Sequence, residues 1–192
     1  MPSVTTTLAT VIELVPCAEE HRWLLHTWRN TREVARFMYH DEPVAATDHD
    51  RWYTALLTDE QRWGWVVTAD ATPVGAAFIT DYAPEHRRAS FGLYIAEPAQ
   101  RGGGVGRAAL CLLCEYALDQ LALHKLIGEA LSFNAPAIAL YSRLGFREEG
   151  ILRDHLQREG CWLDVHAMAL FEDDQDELRR AAAELRHQAR IA

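Results

Sequence analysis

Four glycines fall within five positions at Gly102-Gly103-Gly104-Val105-Gly106, between a strand-like run closed by Pro98 and an apolar run of helical period. Glycine accepts positive φ and lets backbone amides come close to a ligand. A helix that opens straight from such a turn presents unpaired N–H groups and the positive end of its dipole, which suits a pyrophosphate. Arg101 and Arg107 bracket the loop and supply charge for phosphate groups. The segment therefore demands a strand, a tight loop and a helix in direct succession.

The flanking patterns fix the order of the other elements. Thr7 to Val15 reads as a first strand ended by Pro16, and Ala18 to Phe37 as helical with a break around Asn30-Thr31. Thr47 is the expected N-cap of a helix running through Leu57. Three strand-like runs follow, Trp63 to Ala69, Val74 to Thr80 and Ala89 to Ile95, joined by turn residues at Asp70-Ala71-Thr72-Pro73 and at Tyr82 to His86. This is an antiparallel meander. Beyond the glycines the chain alternates: helix from Gly104 to Leu123, strand from Lys125 to Ala130, helix from Ala135 to Leu144, strands from Phe146 to Leu152 and Trp162 to Leu170. Alternation of that kind needs parallel pairing and right-handed crossovers, so the fold class is α/β (α+β) with a mixed sheet flanked by helices.

From Asp173 onward, acids precede bases on one helix with a weak apolar stripe, as the helix dipole prefers. The expected division is a domain over residues 1–172 and an exposed or loosely docked helical tail over residues 173–192.

Two nucleotide folds can be tested against the loop. A Walker A loop needs Gly-Lys-Ser/Thr, and neither Lys nor Ser/Thr follows Gly106. The dinucleotide fingerprint GxGxxA is met by Gly104 to Ala109, but it requires a strand running into its first glycine, and Glu97 to Gln100 intervenes here. Net charge narrows the partners further: at −9 with pI ≈ 5.4 the chain lacks the basic surface that neutralises nucleic acid phosphates. No stretch approaches the roughly 18 apolar residues of a membrane span, and Met1 to Thr7 carries no secretory signal, so a cytoplasmic protein is expected. Cys17, Cys111, Cys114 and Cys161 form neither a disulfide framework nor a complete zinc site, and no metal is expected.

Arg101 to Gly106 resembles the Q/R-x-x-G-x-G/A motif of the GNAT superfamily of N-acetyltransferases, preceded by a fitting strand and proline in Phe91 to Pro98. Asn134-Ala135-Pro136-Ala137-Ile138-Ala139-Leu140-Tyr141-Ser142-Arg143-Leu144-Gly145-Phe146 is similar to the second signature of that family, N-x-x-A-x-x-L-Y-x-x-x-G-F. The resemblance covers roughly Thr7 to Leu170. It implies a mostly antiparallel sheet of about seven strands splayed between the fourth and fifth, and transfer of an acetyl group from acetyl-coenzyme A to a primary amine.

Carried over by position, the resemblance places Leu93, Tyr94 and Ile95 along the pantetheine and acetyl group. Arg101, Gly102, Gly103, Gly104, Val105, Gly106 and Arg107 fall on the pyrophosphate, and Asn134 on the pantetheine, where it also caps a helix. Tyr141 matches the general acid that protonates the departing sulfur. Glu129 is the expected base, directly or through water, with His40, His49 and Tyr94 as alternatives. The acceptor would meet Trp28, Arg29, Asn30, Met38, Tyr39, His49 and Trp52.

That set, with Glu149 to Arg153, resembles the branch that acetylates the 4-amino group of UDP-4-amino-4,6-dideoxy sugars in pseudaminic acid biosynthesis. Arg29 and Arg153 would meet phosphate, and Trp28, Tyr39 or Trp52 would stack on uracil or the sugar. Ribosomal-protein or peptide N-terminal and polyamine acetyltransferases stand as alternatives, and so does a noncatalytic acyl-coenzyme A sensing module. A homodimer is expected from the family.

Overall fold

The computed structural model describes residues 10–188. Strand β1 spans Ile12–Pro16; helices α1 (Arg22–Arg29) and α2 (Arg32–Ala35) follow, then α3 (Ala46–Thr58). The meander is β2 (Trp63–Ala69), β3 (Thr72–Ala83) and β4 (Arg88–Ile95). Helix α4 (Val105–Glu115) runs on into a π-helical turn at Tyr116–Gln120, and β5 (Lys125–Leu131), α5 (Ala135–Arg143), β6 (Arg147–Arg158), β7 (Cys161–Phe171) and α6 (Asp176–Gln188) complete the chain. The Thr7 to Ala9 part of the expected first strand lies outside the described residues.

All seven strands form one sheet in the order β1-β2-β3-β4-β5-β7-β6. Among the described residues only β4 and β5 are parallel, and their ladder is short: Arg88, Ala89 and Ser90 pair with Lys125, Leu126 and Ile127 in turn, after which the strands part. The other edge of β4 stays paired with β3 as far as Ile95. Phe91 stands at the start of the gap, its ring in the space that a Gly128 side chain would occupy. That aromatic wedge explains why β5 needs glycine at the point where the two strands separate.

Local chemistry accounts for the elements. Asp70 and Ala71 both take left-handed φ values of 49° and 62°, as a two-residue hairpin between β2 and β3 requires, and the Asp70 carboxylate accepts from the Val11 amide at 2.8 Å. Leu25 and Trp28, one helical turn apart, bury the inner face of α1. The break at Asn30-Thr31 is present, with Thr31 extended ahead of α2. The cap of α3 is a correction: the N-cap position is Ala45, without a side-chain bond, and Thr47 lies inside the first turn.

The sheet carries one cluster on each face. Helices α4, α5 and α6 cover Val67, Ala77, Ile79, Phe91, Leu126 and Met168, while α1, α2 and α3 cover Val66 and Ala76 through Leu25, Trp28, Val34, Tyr53 and Leu56. The terminal helix, expected to be exposed or loosely docked, packs against the domain. Leu178, Ala181, Ala182 and Leu185 are buried, and α6 docks on α4 as part of the first cluster rather than standing exposed. Two small alanines sit between the two leucines on the docked face, and each leucine removed from water contributes about 1.5–3 kcal/mol. Among the described residues no helix is long and apolar enough to cross a membrane.

Candidate active site

The glycine loop sits where β4 ends. Gly102 and Gly104 take φ of 79° and 92°, and Gly104 is the N-cap of α4. A Cβ added at Gly102, Gly103 or Gly104 would meet no atom within 4 Å, so the three residues border open space rather than packed protein. The N–H groups of the first helical turn have no intrahelical acceptors and face the same opening. This cradle fits the diphosphate of coenzyme A: main-chain donors, a helix dipole and no side chain in the way. Val105 and Gly106 begin α4, Val105 buried in the core and the Gly106 Cα backed by Ile95.

The flanking arginines are already engaged. Arg101 donates from Nε to the Ile95 carbonyl at 2.8 Å and from Nη2 to the Ala96 carbonyl at 3.1 Å, which pins the end of β4 to the loop. Arg107 pairs with Glu184 of α6 at 2.6 Å, half exposed. A diphosphate placed in this cradle would meet main-chain donors before either arginine, and Arg101 acts as a clamp on the strand.

Past Ser90, β4 has no ladder to β5, leaving the main chain of Leu93, Tyr94 and Ile95 with one edge unpaired among the described residues. Side chains alternate along it: Leu93 and Ile95 pack with the α4 cluster, Tyr94 with the α1 and α3 cluster. An extended arm could pair with that edge as an added strand.

Tyr141 projects from α5 into the α4 side of the gap, its ring 5.3 Å from Phe91 and 5.6 Å from Phe146. Burial, and then the nearby Cys114 thiol, push its pKa up to about 12. Asn134 caps α5, its side-chain oxygen accepting from the Ala137 amide at 3.4 Å. Glu129 lies on the opposite face of β5 and is exposed, and its Oε2 accepts a hydrogen bond from the Tyr39 hydroxyl at 2.5 Å. Burial and the Glu129 carboxylate both raise the Tyr39 pKa, which keeps that phenol a donor. The pair joins residues 90 positions apart.

On the face of α1 and α3 a cavity of about 440 Å³ is lined by Leu25, Arg29, Met38, Val44, Asp48, His49, Trp52, Phe78 and Tyr94. Four of the seven expected acceptor residues, Arg29, Met38, His49 and Trp52, meet there. Trp28 does not. It is 5% exposed within the core, because it shares the inner face of α1 with Leu25. Asn30 is likewise spent on structure: its side chain accepts from the Val44 amide at 2.7 Å and donates to the Val44 carbonyl at 3.1 Å, fastening the loop after α2. Tyr39 stands outside the cavity wall, turned to Glu129 and edge-on to His155.

Of the alternative bases, His49 is buried and its Nε2 meets the Arg22 carbonyl at 2.7 Å, so that nitrogen carries the proton. Burial also lowers its pKa. Tyr94 is raised by burial and stays a phenol. The exposed His40 contributes its carbonyl, which accepts from Arg29 Nη2. Arg153 is paired with Asp164 at 2.7 Å.

Sequence reasoning missed Phe78, Val44, Asp48 and Leu25 as lining residues. Phe78 was findable, since it lies on the same face of β3 as Ala76, whose partner on β4 is Tyr94. It also missed Arg158, which donates to the Arg36 carbonyl at 2.8 Å and the Met38 carbonyl at 2.5 Å, holding the segment that carries Met38 and Tyr39.

A family profile described as an acetyltransferase (GNAT) domain matches residues 12–147. The spermidine N(1)-acetyltransferase of Escherichia coli is 27% identical over 161 residues, 84% of this chain and 86% of that protein. An L-methionine sulfoximine/L-methionine sulfone acetyltransferase of Pseudomonas paraeruginosa is 32% identical over 138 residues, 69% of this chain and 78% of that protein. Among solved structures, a spermidine N-acetyltransferase from Vibrio cholerae in complex with CoA and spermine superposes with a TM-score of 0.79 at 24% identity, covering 85% of this chain and 97% of that one.

Proposed function

The chain belongs to the acetyltransferase (GNAT) domain family and is an acetyl-coenzyme A-dependent N-acetyltransferase; from that premise we propose that it acetylates the primary amine of a small molecule entering from the α1 and α3 face. The observation that carries the reading is the open glycine cradle at the head of α4, set beside the unpaired edge of β4. Acetyl-coenzyme A supplies an acetyl group already activated as a thioester. The chain's residues then have to hold that carrier, admit a neutral amine and manage two protons.

The division of labour follows the two faces of the sheet. The amides of Gly102 to Arg107 grip the diphosphate, and the main chain of Leu93 to Ile95 aligns the arm. On the acceptor face Glu129, oriented by the Tyr39 hydroxyl, takes a proton from the incoming amine, directly or through water. As the C–N bond forms and the C–S bond breaks, Tyr141 gives its phenolic proton to the sulfur. The proton held by Glu129 returns to solvent and Tyr141 is reprotonated from it, so the sum is amide plus thiol.

The UDP-sugar acceptor gives way. The relatives are named for spermidine and for methionine sulfoximine or sulfone, which favours the polyamine alternative and adds an amino-acid derivative. The cavity is mostly apolar, and of the two arginines expected to meet the diphosphate only Arg29 lines it, Arg153 being held by Asp164 outside it. A thiol-release assay with acetyl-coenzyme A against polyamines, amino acids, a UDP-4-amino-4,6-dideoxy sugar, aminoglycosides and N-terminal peptides tests the reading. Turnover confined to peptides would overturn the small-molecule acceptor, and turnover confined to the nucleotide sugar would overturn the preference for a polyamine or amino-acid derivative.

A further inference from the structure

This inference rests on the transferase reading above and names the acceptor class. The walls of the 440 Å³ cavity are mostly apolar, from Leu25, Met38, Val44, Trp52 and Phe78. Set into them is Arg29 at the last position of α1. Its Nη2 donates to the His40 carbonyl, but its Nη1 is buried and has no hydrogen-bond partner among the described residues. A buried cationic N–H left unpaired carries an uncompensated desolvation penalty, and folded proteins seldom tolerate one without a use for it.

The other charges near the guanidinium leave that vacancy in place. Asp41 attracts it from the loop after α2, but Asp41 is already paired with Arg158 Nε at 3.1 Å. Arg158 itself repels it, and the Tyr94 hydroxyl attracts it only weakly while it keeps its proton. Asp48 is the one acidic residue among the described residues lining the cavity; it is exposed and faces Arg51 at 3.3 Å. A chain of ammonium groups entering here would meet a buried positive charge at depth and a single, already shared carboxylate at the rim. An acceptor with its own anionic group meets the reverse.

We infer that the Arg29 guanidinium, turning its unpaired Nη1 into the cavity, receives the carboxylate of an amino-acid-type acceptor, whose apolar side chain fills the Met38, Trp52 and Phe78 walls and whose α-amine is the group acetylated. Guanidinium and carboxylate match in geometry and charge, and the low-polarity surroundings strengthen the bond. Tyr94 lines the same cavity from the strand whose free edge is offered to the thioester arm, so an amine next to the carboxylate lies on the path to it.

The test compares L-methionine sulfone, its carboxamide and spermidine as acceptors at saturating acetyl-coenzyme A, with coenzyme A binding followed separately by calorimetry. The expected result is turnover of the free acid, with kcat/KM reduced about tenfold to hundredfold for the carboxamide, as the loss of one charge-assisted bond predicts. In Arg29→Gln and Arg29→Lys, thermal melting checks the fold. The acid-over-amide preference should vanish in the Gln variant and return in part in the Lys variant. Robust turnover of spermidine with none of the acid, or an unchanged preference in a folded Arg29→Gln, overturns the inference while leaving the transferase standing. So does normal coenzyme A binding with no turnover of the acid. No affinity for coenzyme A would instead sink the transferase reading itself.

Discussion

The two sides of the splayed sheet are built from different material. On the carrier side the proposed site is main chain: one continuous run from Leu93 to Arg107, which offers a free strand edge, three glycines over open space and a helix mouth. On the acceptor side it is side chain, gathered from α1, the loop after α2, α3, β3 and β4. Backbone donors are the same whatever residue carries them, so the carrier side demands only that side chains be absent. The acceptor side demands particular groups at particular depths. The first should tolerate substitution except where a Cβ intrudes, and the second should change specificity with nearly any substitution.

The largest effect expected is on the one side chain that the carrier side needs. In Tyr141→Phe the ring contacts with Phe91 and Phe146 remain, so folding and coenzyme A binding should persist while kcat falls about 10²- to 10⁴-fold, the usual contribution of a placed general acid. Rapid-quench or thiol-release kinetics beside calorimetry separates the two quantities. A noncatalytic sensor would keep its ligand response unchanged, and full turnover in this variant would remove the contrast between the faces.

Next in size is an intrusion into the cradle. Gly104→Val places a branched side chain at φ of 92°, where strain of about 1–3 kcal/mol is expected, and fills space that is otherwise open. Coenzyme A affinity should weaken by about tenfold to hundredfold, with the KM of the amine nearly unmoved. Gly106→Ala is the control: its Cβ would lie 3.7 Å from Ile95, an ordinary contact, and affinity should hold. Equal damage from both would mean that the loop matters for stability and not for its open amides.

A smaller change is expected at the bond between the α2 loop and β5. Tyr39→Phe frees Glu129 from its only described hydrogen-bond donor at 2.5 Å. Losing one such bond at an exposed site is worth about 0.5–1.5 kcal/mol, so kcat/KM should drop about threefold to tenfold with coenzyme A affinity unchanged. An effect on coenzyme A binding would show that the two faces are coupled through β5.

The same contrast decides what could be read from the chain. The glycine loop was legible because its chemistry is contiguous, and the break at Asn30-Thr31 because side-chain period fails there. The parting of β4 and β5 was supplied by family resemblance alone, since it depends on Phe91 meeting Gly128 across 37 positions of sequence. Trp28 was misplaced because a tryptophan on an amphipathic helix gives no sign of which face it takes until the partner sheet is known. The cap at Ala45 was missed for the opposite reason, a hydroxyl two residues too late. The docking of α6 was hidden by its alanines, whose low hydropathy leaves only a weak apolar stripe. Tyr39 and Glu129 could not be paired from sequence, because nothing local links them.

The smallest effect expected is the absence of one. Burial holds the Tyr141 phenol up to about 12, so the acid form needed to protonate sulfur persists until the solution approaches that value. A raised pKa leaves the group protonated over a wider range, and any loss from it falls on the alkaline side. The kcat profile should therefore show no descending limb from Tyr141 below about pH 11, whereas its rise should follow deprotonation of the bound amine. Recording kcat from pH 6 to about 10.5, stopping short of alkaline unfolding as judged by fluorescence, checks this. A fall centred near pH 9 that disappears in Tyr141→Phe would mean that the phenol ionises as readily as one in water, and the dry, backbone-walled carrier side would then have to be given up.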